Sequence, residues 1–343
     1  MHIAIDAMGG DTGVAVTVPA ALSSLDLHPD LVLTLVGDES LIQPRLAASG
    51  HRDRLKVLHT SQQVTETDKP TDILRRGRQS SLFMSIELVN QCRVQACVSA
   101  GNTGAMLLAG RHLLKTIAGI DKPAMLAMIP GATKPTFLLD VGANVDCKAS
   151  ELFQFAVMGA VLAESREDCA KARVGLLNIG AEDHKGSEQV KLAAAMLETC
   201  EAINYIGYIE GNGLFQGTAD VVVCDGFVGN VTIKSSAGVA RVVRSMIDEG
   251  LERTWWTRGL ALCTAPVLKP LRMQINPGRF NGASLLGLQG SIVKSHGNAD
   301  SEGFTYAIEQ AVREAEKNVP QLIADRVAGI LTDTGTAVNK TRS

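Results

Sequence analysis

The stretch CVSAGNTGAML, residues 97–107, passes from a β-type run into a helical one through two glycines, a serine, an asparagine and a threonine, without a lysine or arginine. Backbone amides and hydroxyls in that order suit an anion. The first turn of a helix leaves its N–H groups without intrahelical acceptors and carries the positive end of the helix dipole. Ser99, Gly101, Asn102, Thr103 and Gly104 are therefore the candidate phosphate-binding set. Turn geometry alone is the plainer explanation of the glycines. The missing charge has a candidate in NIGAEDHKG, residues 178–186, where Lys185 follows Glu182 and His184. A capped helix start with a solvated lysine competes with that reading.

Four further junctions have the same character: DAMGGD (6–11), LDVGANVDCK (139–148), DGFVGN (225–230) and KSHGNAD (294–300). Ligands of α/β sheets bind beyond the carboxyl ends of the strands. All six junctions are expected at one end of one sheet, around a small-molecule anion. Familiar fingerprints are missing: there is no G-x-x-x-x-G-K-[ST], G-x-S-x-G or H-E-x-x-H, and GNGLFQG (211–217) is not G-x-G-x-x-G. Ser291 and Lys294 form an isolated S-x-x-K, without its companion motifs.

These junctions need strands before them and helices after them. The β-rich runs are 2–6, 31–37, 55–59, 96–100, 136–142, 173–180, 203–209 and 219–225, several of them continuously apolar. Helical periodicity covers 103–118, 149–166, 187–201, 228–250 and 302–317. This alternation predicts a three-layer α/β/α sandwich around a mostly parallel sheet. One domain is expected over 1–335, with 336–343 as a tail; the last dozen residues, TDTGTAVNKTRS, read as frayed. The segment 253–280 breaks the pattern with both tryptophans, several cations and three prolines.

A net charge of −3 gives no reason to expect nucleic acid as a partner. Seven cysteines without C-x-x-C or zinc spacing read as small buried hydrophobes of a reducing compartment. No apolar run reaches the roughly 18 residues of a membrane span. MHIAIDAMGGD lacks the basic and apolar regions of a secretory leader, so a cytoplasmic protein is expected.

DAMGGD, SAGNTGA, LLDVGANVDCK, LLNIGAEDHKG, ADVVVCDGFVGNVTIK and HGNAD together resemble the PlsX-type phosphate acyltransferases, collinearly from residue 1 to about 330. Two departures stand out: Thr12-Gly13-Val14 follow DAMGGD where the family often has His-Ala-Pro or similar, and Arg78 stands where lysine is common. The resemblance implies a fold of the isopropylmalate-dehydrogenase and phosphotransacetylase type, with no metal or organic cofactor. It implies a cytoplasmic homodimer peripherally bound to the membrane. The implied reaction moves a long-chain acyl group from acyl-carrier protein to inorganic phosphate, for use by a glycerol-3-phosphate acyltransferase in phospholipid synthesis.

Such a reaction needs no nucleophilic residue. Positioning contributes about 7–11 kcal/mol at best, and one oxyanion donor roughly 3–4 kcal/mol. Under this reading the 99–104 loop holds phosphate, Lys185 neutralises it or the oxyanion, and Asn178 and Asn230 orient the same centre. His184 or His296 protonates the departing thiolate, against a structural hydrogen bond for either. Asp6, Asp11, Asp140, Asn144, Glu182 and Asp225 brace the site, most of the aspartates through turns.

Arg75, Arg76 and Arg78 are candidates to dock the acidic carrier, or simply a solvated helix face. Trp255, Trp256, Leu260, Leu268, Lys269 and Arg272 suit an anionic bilayer or a dimer interface. A short-chain phosphotransacetylase acting on acyl-CoA and a non-catalytic membrane scaffold that binds the carrier remain the competing functions.

Overall fold

A computed structural model describes residues 1–340 apart from 48–49, 167–169 and 253–276. The six membrane-contact candidates from Trp255 to Arg272 thus lie outside the described residues.

The chain begins β1 (His2–Asp6), α1 (Val14–Leu27), β2 (Val32–Gly37), α2 (Glu39–Leu46), β3 (Leu55–His59), α3 (Asp72–Arg75), α4 (Ser81–Asn90), β4 (Ala96–Ser99) and α5 (Thr103–Leu113). It continues β5 (Ala124–Ile129), β6 (Thr136–Leu139), α6 (Ala149–Glu164), β7 (Arg173–Leu177), α7 (Glu188–Glu198), β8 (Asn204–Ile209), β9 (Val221–Val223) and α8 (Gly226–Glu252). It closes with β10 (Ala283–Leu286), β11 (Ser291–Lys294), α9 (Ser301–Lys317) and α10 (Val319–Lys340). The strands form one sheet in the order β3-β2-β1-β4-β11-β10-β5-β6-β9-β7-β8.

Helices cover both faces, giving the expected three-layer sandwich. Alternate residues of each strand point to opposite layers. Ile3 and Ile5 of β1 join Leu33, Leu35 and Val293 under α1 and α9, while Ala4 joins Ile292, Cys97 and Val36 under α4 and α5. In the other half of the sheet Leu139, Val221, Val223 and Val174 pack against α6. Helix starts are set by short polar caps: Ser80, Asn102, Ser187 and Asp300 each accept a first-turn N–H.

The sheet is mostly parallel, but its two halves run in opposite directions. β1, β2, β3, β4 and β11 are mutually parallel. The antiparallel pairs β11–β10, β10–β5 and β5–β6 follow. After them β6, β9, β7 and β8 are parallel to one another and opposed to the first set. The expectation that all six polar junctions share one end is therefore wrong. Those after β1, β4 and β11 lie at one end; those after β6, β7 and β9 lie at the other, roughly 13–20 Å away across strands of this length.

Two smaller corrections follow from local chemistry. Residues 332–340, read as frayed, continue α10 to Lys340. The runs 136–142 and 173–180 end as strands at Leu139 and Leu177, because Asp140 and Asn178 turn the chain with their side chains.

Candidate active site

At the first end, Asp6, Ser99 and Lys294 terminate three adjacent strands. Ser99 Oγ donates to Asp6 Oδ2 at 2.6 Å and accepts the Gly101 N–H at 2.9 Å. Both side chains are buried. Burial raises the Asp6 carboxyl above its ordinary value, and hydrogen bonds from Ser81, Ser99 and the 8–9 backbone oppose that rise. The turn after β1 is pressed against this pair. A Cβ on Gly9 would lie 2.6 Å from Asp6 Oδ2 and 2.8 Å from the Gly101 nitrogen, and Gly10, at φ +85°, abuts Ala100 and the Gly297 carbonyl. The Asp11 N–H donates to that same carbonyl at 2.8 Å, and the Ser295 N–H to Ser99 O at 2.9 Å. Three loops are thereby locked together.

Much of the expected phosphate-binding set is already engaged. Ser99 and the Gly101 amide serve Asp6. Asn102 accepts the Ala105 N–H at 3.0 Å as a helix cap. Its amide donates to the Thr65, Glu66 and Asp68 carbonyls, each at 3.3 Å. This draws the 65–68 segment over the first turn of α5, where Pro70 fills the space a side chain at Gly104 would need. What the turn retains for an anion is the half-buried Thr103 and Gly104 backbone.

The cation at this loop is Lys294. Its ammonium donates to Ala100 O at 3.0 Å and to Ser295 O. Burial lowers it to about 8, against the attraction of the Glu66, Asp6 and Asp11 carboxylates. His296 sits at the rim with its edge exposed to solvent. The surrounding protein first, then Lys294, Arg241 and Lys234, hold its imidazole below the ordinary value. Asn281 fixes the loop by accepting the His296 N–H at 3.0 Å and donating to Ser295 Oγ at 2.8 Å. Lys234 and Arg241 belong to α8, which starts at the second end and runs back some 40 Å along the molecule.

The second end is built around buried Asp140. One carboxylate oxygen accepts the Met125, Gly142 and Ala143 N–H groups at 3.0, 3.1 and 3.0 Å. The other accepts the Asn144 backbone and side-chain N–H groups at 2.7 and 2.9 Å. Asp225 caps α8 through the Phe227 N–H at 2.8 Å and takes the Cys147 N–H at 2.8 Å. Asn230 lies on the next turn of α8 against Gly142. Asn178 accepts the Ile179 N–H and donates to Lys185 O at 3.1 Å, shaping the turn on which Lys185 pairs with Glu182 at 2.8 Å. Glu182 and His184 are exposed and Lys185 is half-buried. Lys185 thus stands at the second end, whereas the 99–104 loop stands at the first.

Beside the first end, Arg76 pairs with Asp72 at 2.7 Å and Arg78 donates to Leu74 O at 3.0 Å. Arg75, exposed on α3, has no ion-pair partner among the described residues. Of the buried thiols, Cys147 is pushed up to about 12 and Cys97 and Cys224 are also raised, chiefly by burial. None is disposed to act as a thiolate nucleophile.

Known proteins match this chain over nearly all its length. The family described as "Fatty acid synthesis protein" matches residues 1–322. A protein of Shewanella sp. strain W3-18-1 named "Phosphate acyltransferase" is 48% identical over 336 residues, covering 97% of this chain and 98% of its own. The chain belongs to the phosphate acyltransferase family. A relative of the same name from Shewanella baltica strain OS155 is 47% identical over the same shares of both chains. As a member of this family the chain is an acyltransferase.

Solved structures agree on the fold. A phosphotransacetylase from Streptococcus pyogenes aligns with a TM-score of 0.61 at 14% identity over 92% of this chain and 94% of its own. A branched-chain phosphotransacylase from Enterococcus faecalis V583 aligns at 0.55 and 13% identity over 92% and 99%.

Sequence reasoning missed the placement of Lys294 and its neighbours for one reason. KSHGNAD is legible as a junction, but SIVK is a four-residue strand, too short to be read as one, so nothing in the sequence pairs it with β4 and sets Lys294 beside the 99–104 loop. Glu66, Lys234 and Arg241 reach the site from a loop and a distant helix, and no local motif marks them.

Proposed function

We propose that this acyltransferase moves a long-chain acyl group from the thioester of acyl-carrier protein to inorganic phosphate. The acyl phosphate formed serves phospholipid synthesis through a glycerol-3-phosphate acyltransferase. The observation that carries the reading is the Lys294 ammonium at the β4–α5 turn, in a chain 48% identical to a protein named phosphate acyltransferase.

Phosphate enters between Lys294 and the Thr103–Gly104 backbone, and one of its oxygens attacks the thioester carbonyl. The new C–O bond forms as the C–S bond breaks. The proton that phosphate brought passes to the departing thiolate, with His296 at the rim as its carrier. Its imidazole is held below the ordinary value, so it starts neutral, with a ring nitrogen free to take the proton, and the imidazolium then formed gives it up to the thiolate. Ser99, Asp6 and Asn102 hold the loops rather than the substrate.

The second-end residues Lys185, His184, Asn178 and Asn230 enter the same reaction through a homodimer that sets this end of one protomer against the first end of its partner. The exposed stripe Val228, Val231, Val239, Val242 and Met246 along α8 supports such an interface. The position of Arg75, Arg76 and Arg78 beside the 65–70 segment supports carrier docking there, and the Trp255–Arg272 sequence supports peripheral membrane contact. The phosphotransacetylase-like fold keeps one second reading in view, a short-chain enzyme using acyl-CoA. Purified protein given phosphate and either long-chain acyl-carrier protein or acyl-CoA decides between them. Phosphate-dependent release of free carrier is expected; activity with acyl-CoA alone would replace the reading.

A further inference from the structure

Away from these loops, the β5–β6 hairpin, the Pro277–Phe280 turn and α9 enclose a cavity of about 490 Å³. Among the described residues four cations line it, Lys134, Arg166, Arg279 and Arg313, against one carboxylate, Glu309. Lys134 is committed to Asp220, and Arg313 shares Glu309 at 3.4 Å. Arg166 and Arg279 have no carboxylate partner among the described residues. Among the described residues the half-buried Arg166 guanidinium meets the Phe137 ring at 5.0 Å, Gln310 Oε1 at 3.5 Å and Met128 Sδ at 3.8 Å. Burial and the repulsion of Arg313 work against its charge. A cation in that position is one an anion would relieve.

We propose that this cavity binds a phosphomonoester carrying a small organic group, with Arg166, Arg279 and Arg313 around its phosphate. Guanidinium groups converging from three segments match the several acceptor oxygens of a tetrahedral dianion better than one planar carboxylate. Pro130, Pro135, Phe280 and Tyr306 give the cavity apolar and aromatic wall for the organic part, and its volume exceeds what inorganic phosphate alone would fill. The site is separate from Lys294, although Asn281 lines it and also holds His296.

Phenyl phosphate titrated calorimetrically into the full chain tests this without requiring catalysis. Saturable binding is expected, weakened at least tenfold in Arg166→Met and in the exposed double variant Arg279→Gln/Arg313→Gln. Lys294→Met should bind within twofold of the wild type. The exposed variant keeps the test valid if Arg166→Met does not fold. Absence of saturable binding to the wild type overturns the proposal, as does wild-type affinity in Arg279→Gln/Arg313→Gln. Loss of binding in Lys294→Met would place the ligand at the reaction site instead. Inorganic phosphate or benzoate binding as tightly as phenyl phosphate would contradict the phosphomonoester class.

Discussion

Ser99 gives its hydroxyl hydrogen to the buried carboxylate of Asp6 at 2.6 Å and takes the Gly101 N–H at 2.9 Å. A residue whose type and position suggest a phosphate ligand is instead the pin between two strand-end loops. Ser99→Ala leaves Asp6 short of a donor in a place water does not reach. A stability loss of about 1–3 kcal/mol is expected, measurable by urea unfolding, together with a raised KM for phosphate as the loops loosen. Unchanged stability with a raised KM would return Ser99 to direct phosphate contact.

Lys294 should dominate phosphate binding. Lys294→Met is expected to lower kcat/KM for phosphate by about 100-fold or more, in the range of losing one strong electrostatic contact. A decrease below threefold in a folded variant would remove Lys294 from the site.

The pH profile has a definite sign. With Lys294 held at about 8, its charge is present at neutral pH and is lost as pH rises through that value. The kcat/KM for phosphate should therefore be level near pH 7 and fall on the alkaline side. Lys294→Arg keeps its charge throughout and should lose that limb, whatever its absolute rate. An identical limb in both proteins assigns it to another group.

Glu314 offers a stability test far from the reaction. It is buried with Ser284 and Gln310 as partners, beside a second cavity also lined by Arg166, Arg313, Glu316 and Lys317. Burial raises its carboxyl from 4.5 to about 7. The folded state holds the proton more tightly than the unfolded one, so stability is full below the unfolded value and is lost as pH climbs toward 7. The loss amounts to roughly 3 kcal/mol. Denaturant unfolding between pH 4.5 and 7.5 should show this decline, and Glu314→Gln should reduce it. Equal slopes would show that Glu314 does not titrate there.

The role of the second end is separable by complementation. Lys185→Ala and Lys294→Met should each be nearly inactive as homodimers. Co-expressed and purified as a mixed dimer, they should regain a substantial fraction of wild-type turnover, since one composite site keeps both lysines. A mixed dimer as inactive as its parents would exclude a site shared in this way.

The sequence made the layered fold legible because its apolar strands and periodic helices are long and capped by short polar residues such as Asn102 and Ser187. The short strands were not legible. AMLAMI (124–129) is composed of residues that favour helices, and ASLL and SIVK have four residues each. Those three strands make the antiparallel turnabout at the centre of the sheet, so missing them placed the polar junctions together. The 99–104 loop was readable from its glycines and helix start. Lys294 was legible only as the start of the KSHGNAD junction, and its place beside Ala100 was not, because the pairing of two short strands sets it there.

The most direct measurement follows fully ¹⁸O-labelled phosphate into product, with long-chain acyl-carrier protein as donor and Lys294→Met alongside. Expected is acyl phosphate retaining all the phosphate oxygens, formed in step with free carrier and nearly absent in the variant. A folded, carrier-binding protein that releases no carrier in the presence of phosphate, or yields only unlabelled fatty acid, would contradict direct attack by phosphate.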